Sequence, residues 1–191
     1  MPPVPEDHVT RLAFDAKAGD RNAAAEFVRA TQRDLHRFLS YLTDPGDVED
    51  LSQETYLRAM RGLMSFDGRS SARTWLFAIA RHTAADHVRR ATRRPRQVAL
   101  DAWDETTRNR PGDGPHLDEA FLVRDVLRHL DPQRRDAFAL TQILGLSYGE
   151  AAEICDCPVG TIRSRVSRAR EDLIIAMRTS QPDRSTHRRA T

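Results

Sequence analysis

The stretch Ser147–Ala176 narrows the choice of fold more than any other part of this chain. It reads Ser-Tyr-Gly-Glu-Ala-Ala-Glu-Ile, then Cys-Asp-Cys, then Pro-Val-Gly-Thr-Ile-Arg-Ser-Arg-Val-Ser-Arg-Ala-Arg. Ser147 and Glu150 have the spacing of a capping box, which satisfies two orphan amides at a helix start. Pro158 suits the first position of a second helix and makes Cys157 its N-cap. Ile162, Val166 and Ala169 recur at helical spacing and form a narrow inward face, and Ala151 and Ala152 let the two helices cross closely. Arg163, Arg165, Arg168 and Arg170 fall largely outside that face. A short helix, a tight turn and a basic helix make a helix-turn-helix, and guanidinium groups on its outer side suit a polyanion.

The remainder is helical in pattern. Val9, Leu12, Ala13 and Ala16 carry a helical period up to Gly19. Asp20 then caps a longer helix whose apolar positions Ala24, Phe27, Val28, Thr31, Leu35, Phe38, Leu39 and Leu42 continue until Asp44-Pro45-Gly46. A helix over Asp47–Leu63 follows, with Val48, Leu51, Thr55 and Ala59 inward. Asp50, Gln53, Glu54 and Leu57 share another face, which by composition alone reads as solvated. After the polar loop Ser65–Arg73, Thr74 begins a helix with Trp75, Leu76, Ile79, Ala80 and Val88 as its apolar members. Residues 96–116 hold Pro111, Gly112, Gly114 and Pro115 and no sustained period. Helices resume at Leu117–Leu130, with Ala120, Val123, Leu127 and Leu130 inward, and again after Asp131-Pro132, with Ala137, Leu140, Thr141 and Leu144. No stretch alternates like a strand. The expected fold is all-α, with two small helical domains at 7–95 and 117–178 joined by a flexible acidic linker at 96–116. The tail 179–191 is expected to be disordered.

Net charge is only +2, so the distribution of charge matters more than its sum. Six arginines lie between Arg81 and Arg96 against Asp86 alone, and six carboxylates lie in Val98–Glu119 against Arg108 and Arg110. Nothing near Met1 resembles a signal peptide, and no apolar run approaches the roughly 20 residues of a membrane helix. The expected location is therefore the cytoplasm. Cys155 and Cys157 are too close for a disulfide framework and read as small turn residues. His82, Asp86 and His87 resemble the start of a metal site, but a third ligand is missing and the basic neighbours repel a cation. No catalytic residue, metal or cofactor is expected.

Three motifs together carry a resemblance. Asp50-Leu51-Ser52-Gln53-Glu54-Thr55-Tyr56-Leu57-Arg58-Ala59 resembles region 2.2 of bacterial RNA polymerase sigma factors. Arg73-Thr74-Trp75-Leu76-Phe77-Ala78-Ile79-Ala80-Arg81-His82 resembles regions 2.3–2.4 of their extracytoplasmic-function (ECF) group. Pro158-Val159-Gly160-Thr161-Ile162-Arg163-Ser164-Arg165 resembles that group's region 4.2. The likeness spans residues 9–95 and 117–177, and its wording is most similar to the sigma-C-like subgroup. One departure is Asp156, which stands where the family often has glycine in the turn; aspartate tolerates a left-handed backbone less well than glycine, so slight strain is expected there.

The resemblance implies a subunit of transcription initiation rather than an enzyme. Asp50, Gln53, Glu54 and Leu57 would contact the clamp helices of core RNA polymerase, and the second domain its flap region. The loop with Asp67, Arg69, Ser70, Ser71 and Arg73 would capture a base extruded from the promoter −10 element. Trp75, His82, Asp86, Arg89 and Arg90 would lie along the melted DNA, although Leu76 and Ile79 beside Trp75 favour core packing for it. Gly160, Thr161, Arg163, Ser164, Arg165, Arg168 and Arg170 would face the −35 element. A linker of about 20 residues reaches roughly 65–70 Å, close to the roughly 70 Å between elements two helical turns apart. An anti-sigma factor is a further implied partner. The competing reading is a stand-alone helix-turn-helix regulator, which predicts tight duplex binding by the isolated chain.

Overall fold

The computed structural model describes residues 7–93 and 126–179, and all regular structure among them is helical. The expectations for the linker, for Ala120 and Val123, and for nearly all of the tail lie outside the described residues. Helix α1 spans His8–Lys17, α2 Arg21–Leu42, α3 Val48–Gly62 and α4 Ala72–Arg93. In the second half α5 spans Pro132–Phe138, α6 Tyr148–Cys155 and α7 Val159–Thr179.

Local chemistry sets most boundaries. Asp7, Asp20 and Asp131 each accept backbone N–H groups at the starts of α1, α2 and α5, as N-caps do. The capping box at α6 is complete: Ser147 N–H donates to Glu150 at 2.8 Å and Glu150 N–H to Ser147 Oγ at 3.2 Å. Helix α4 begins two residues before the expected Thr74, because Ser71 Oγ caps it by accepting from Thr74 N–H at 3.0 Å. Helix α5 runs on into a π turn, Ala139–Ile143, and Leu146 N–H reaches back to the Leu140 carbonyl at 3.0 Å. Gly145, at φ +70°, closes that end as a left-handed C′ residue.

The expected N-cap of α7 shifts by one residue. Thr161 and Ile162 both donate to the Pro158 carbonyl, so Pro158 and not Cys157 occupies the cap. The expected strain in the turn is present. Asp156 sits at φ +49°, ψ +56°, and is the one non-glycine with positive φ among the described residues. A left-handed side chain costs roughly 1–2 kcal/mol, partly offset because glycine loses more backbone entropy on folding. Asp156→Gly is therefore expected to stabilise the fold by about 0.5–1 kcal/mol, read as a higher urea midpoint at unchanged slope.

Two cores result. One lies within the first half and joins Leu12, Phe27, Leu63, Phe66 and Leu76. The other is shared by both halves: Leu35, Phe38, Leu39, Leu42, Phe77 and Ala84 pack with Leu127, Leu140, Leu146, Ile154, Ile162 and Val166. Phe77, absent from the expected apolar positions of α4, is fully buried and meets Phe38 edge to face at 5.3 Å. Val88, expected inward, is 44% exposed. Threonines fill core positions because their hydroxyls donate to carbonyls one turn back: Thr31 to Phe27, Thr55 to Leu51 and Thr141 to Ala137.

Polar contacts reinforce the junction between the halves. Arg81 on α4 pairs with Asp136 on α5 at 2.8 Å, with the two side chains only 21% and 12% exposed. Arg128 pairs with Asp44 at 3.1 Å, and Arg73 donates to the Leu144 carbonyl at 3.3 Å.

Candidate functional site

Three surfaces carry the residues singled out from the sequence. The first is the outer face of α3. Asp50 and Gln53 are exposed there, and Leu57 is 52% exposed on the same side. Glu54 accepts from Arg58 at 2.7 Å, Arg58 reaches Asp86 at 3.0 Å, and Asp86 also holds Arg89 at 2.6 Å. The hydrogen bond from Arg58 holds the Glu54 carboxyl below the usual carboxylate range, and Arg89 followed by Arg58 does the same for Asp86. Both stay ionised at neutral pH. Arg58 was missed from the sequence, although its place four residues after Glu54 is a helix-pair signal.

The second surface is the loop before α4 with the helix that follows. Asp67 and Arg69 form an ion pair at 2.6 Å, and Asp67 Oδ1 also accepts the Arg69 N–H at 3.2 Å. That backbone N–H is the main reason the Asp67 carboxyl lies below its ordinary range. Arg69 is exposed and Ser70 half-buried. Ser71 is engaged in capping, with Thr74 Oγ1 also 2.9 Å away. Arg73 is engaged with Asp34 at 2.6 Å and lies over the Phe77 ring. Trp75 packs on Phe66 at 5.1 Å between ring centres and over Gly62, in line with core packing. His82, Arg89 and Arg90 are exposed along the helix. His87 faces Asp47 at 3.1 Å, and the described residues contain no group of His, Cys, Asp and Glu able to hold a metal ion.

The third surface is α7. Ile162, Val166 and Ala169 are buried, while Gly160, Arg163, Ser164, Arg168 and Arg170 are exposed. A Cβ added at Gly160 would meet no protein atom within 4 Å, so packing does not demand glycine there. Arg165 departs from the expected outward set. It is half-buried, donating to Gln133 at 2.6 Å and to Cys157 Sγ at 3.3 Å. Arg170 donates to Gln142 at 2.6 Å. Burial pushes the Cys155 thiol up to about 12, which leaves almost no thiolate at neutral pH. A disulfide reagent at pH 7.5 is therefore expected to titrate one thiol rapidly, on half-buried Cys157, and the second only in denaturant. Rapid release of two equivalents from the folded chain would contradict the burial of Cys155.

Two sequence families share these surfaces. The family model of sigma-70 region 2 matches residues 27–94, and that of sigma-70 region 4 matches residues 120–173. The ECF RNA polymerase sigma factor SigC of Mycobacterium tuberculosis is 46% identical over 169 residues, covering 88% of this chain and 91% of that protein. The chain belongs to the sigma-70 family, in its ECF group. The sigma-C-like wording of its motifs agrees with that relative. The ECF RNA polymerase sigma-E factor of Escherichia coli is 36% identical over 170 residues, covering 84% of this chain and 89% of its own.

Solved structures agree on the fold. CnrH, solved in complex with the cytosolic domain of CnrY, superposes with a TM-score of 0.72 at 26% identity, covering 92% of this chain and all of that one. The sigma factor RpoE of Bartonella quintana, solved with the anti-sigma factor NepR, gives 0.64 at 28% identity, covering 82% of this chain and 98% of its own. The sigma-70 family is not an enzyme family; its members bind core RNA polymerase and direct promoter-specific initiation, and this chain is one of them. Among the described residues no helix is long and apolar enough to cross a membrane. Helix α1 precedes the matched part of region 2.

Proposed function

We propose a division of labour among the three surfaces of this sigma factor. The α3 face, with Asp50, Gln53, Glu54 and Leu57, binds the clamp helices of core polymerase, and the second half also meets the flap region. The loop Asp67–Arg73 and the outer side of α4 take the −10 element, with Arg69, Ser70, His82, Arg89 and Arg90 nearest the DNA. Helix α7 reads the −35 element through Gly160, Thr161, Ser164 and Arg168, with Arg163 and Arg170 anchoring phosphates and Arg165 joining once released from Gln133. Residues 7–95 and 117–178 act as the two functional domains, 96–116 as their tether and 179–191 as a tail. Phosphodiester chemistry belongs to the polymerase, and the working compartment is the cytoplasm.

The observation that carries this reading is the exposure of Leu57 within an acidic face on α3, in the same chain as a helix-turn-helix with an arginine-rich outer side. A stand-alone regulator has no use for the first. The shared core adds a requirement. With α4 and the helix-turn-helix packed together, the two readers cannot reach elements roughly 70 Å apart, so the halves separate on polymerase. An anti-sigma factor would hold the closed shape, a reading supported by the likeness to CnrH and RpoE in their complexes.

Reconstitution with sigma-free core polymerase and run-off transcription over genomic fragments tests the proposal. Discrete promoter-specific transcripts are expected. Their absence from every fragment, together with tight duplex binding by the free chain, would favour the stand-alone regulator.

A further inference from the structure

Helix α1 lies outside the matched part of region 2, yet it touches both ends of the loop assigned to base capture. Thr10 is fully buried, and its Oγ1 accepts the Ala72 N–H at 2.9 Å, where that loop ends and α4 begins. The same hydroxyl donates to the Asp7 carboxylate, which fixes its lone pairs toward Ala72. Two turns along α1, Lys17 Nζ donates to the Phe66 carbonyl at 2.7 Å, where the loop starts. Between them Phe14 packs on Phe66 at 5.3 Å, and Phe66 packs in turn on Trp75. Thr10, Phe14 and Lys17 follow helical spacing and share one side of α1. Lys17 is the only lysine in the chain.

Each contact has a physical consequence. The Ala72 N–H is one of the orphan donors of a helix start, and here a residue 62 positions away satisfies it. The Phe66 carbonyl would otherwise sit at the edge of an apolar cluster, and an ammonium bond to it is charge-assisted. With its ends held, the loop has only Asp67–Ser71 left to order. Gly68 at φ +75° and the Asp67–Arg69 turn fix that remainder.

We propose that α1 is a brace for the base-capture loop, with Thr10 and Lys17 as positioning residues that set −10 recognition without touching DNA. The proposal rests on the assignment of Asp67–Arg73 as the capture loop. Extruding a base costs a few kcal/mol, and a loop already shaped for the base spends none of its binding energy on its own ordering. The brace therefore acts on single-strand affinity and promoter melting, and leaves clamp and −35 contacts alone.

The test uses reconstituted holoenzyme and a fluorescein-labelled single-stranded oligonucleotide carrying the non-template −10 segment of a promoter found by run-off transcription. Lys17→Met and Thr10→Val are expected to weaken oligonucleotide binding about tenfold each and to lower permanganate reactivity of the melted strand. Lys17→Arg and Thr10→Ser, which keep the donor and the acceptor, retain most of the affinity. Core affinity and binding to −35 duplex stay within about twofold, a split that general destabilisation would not produce. Arg69→Ala and Ser70→Ala in the loop report on the underlying assignment. If they weaken binding while Lys17→Met and Thr10→Val do not, the brace is wrong and the loop assignment stands. If none of the four has an effect, the loop assignment fails and the brace with it. Should Thr10→Val misfold, half-exposed Lys17 still decides the matter through Lys17→Met.

Discussion

Asp136→Ala is expected to separate the two halves of the free chain. Asp136 is buried at the junction against Arg81, and burial raises its carboxyl above the ordinary range while the adjacent guanidinium opposes that shift. At 2.8 Å from a guanidinium the carboxylate is the form that completes the contact. Removing it leaves Arg81 uncompensated at a site with a 21% exposed side chain. Breaking one partner of a buried pair costs about 3–5 kcal/mol. Separation relieves that cost, because Arg81 then reaches water. The first half keeps its own core around Phe27, Phe66 and Leu76 and stays folded. Small-angle scattering should show a larger radius of gyration, with helicity by circular dichroism nearly unchanged. Arg81→Met with Asp136→Leu should behave oppositely, since an apolar pair of similar volume tolerates burial, and remain compact. An unchanged radius for Asp136→Ala would mean that the apolar contacts alone hold the halves together.

Asp50→Arg combined with Glu54→Arg is expected to weaken binding to core polymerase by about 100-fold or more. Reversing two charges at an interface juxtaposes like charges, a penalty of several kcal/mol, and each 1.4 kcal/mol is about tenfold. Asp50 is exposed, and Glu54 is half-buried and pairs with Arg58 on its own helix. An arginine at 54 would repel Arg58 one turn away by a few tenths of a kcal/mol, so folding stability should change by less than about 1 kcal/mol. Competition binding against the wild-type chain separates the two effects. Normal core affinity in a folded double variant would remove α3 from the polymerase interface.

Much of this was legible in the sequence. The long apolar period of α2, the Asp20 cap, the capping box at Ser147 and the inward triad of Ile162, Val166 and Ala169 are local signals, and the structure carries them, with Ala23 rather than Ala24 buried at the start of α2. What escaped was not local. Asp136 lies in the polar run Gln133-Arg134-Arg135-Asp136, and what sets it apart is tertiary: it is buried, and its partner Arg81 comes from α4, 55 residues away. Trp75, Leu76 and Ile79 already supply an apolar side to α4, but two cores flank that helix and Phe77 serves the second. Val88 follows the same period but lines a pocket with Leu42, Thr43 and Arg128 instead of joining either core, and it stays exposed. Thr10 and Lys17 carry no sequence signal of their contacts, because the amide and the carbonyl they hold belong to backbone 62 and 49 residues away.

The core shared between the halves also bears on how this sigma factor competes for polymerase. If only the separated form binds core enzyme, the apparent dissociation constant equals the intrinsic one divided by the fraction of molecules already apart. A junction favouring closure by about 3 kcal/mol would leave under one per cent of the chains competent, and weaken apparent affinity by more than 100-fold. Single changes at Arg81 or Asp136 would then tune access to polymerase over two orders of magnitude, without altering any residue that touches polymerase or DNA.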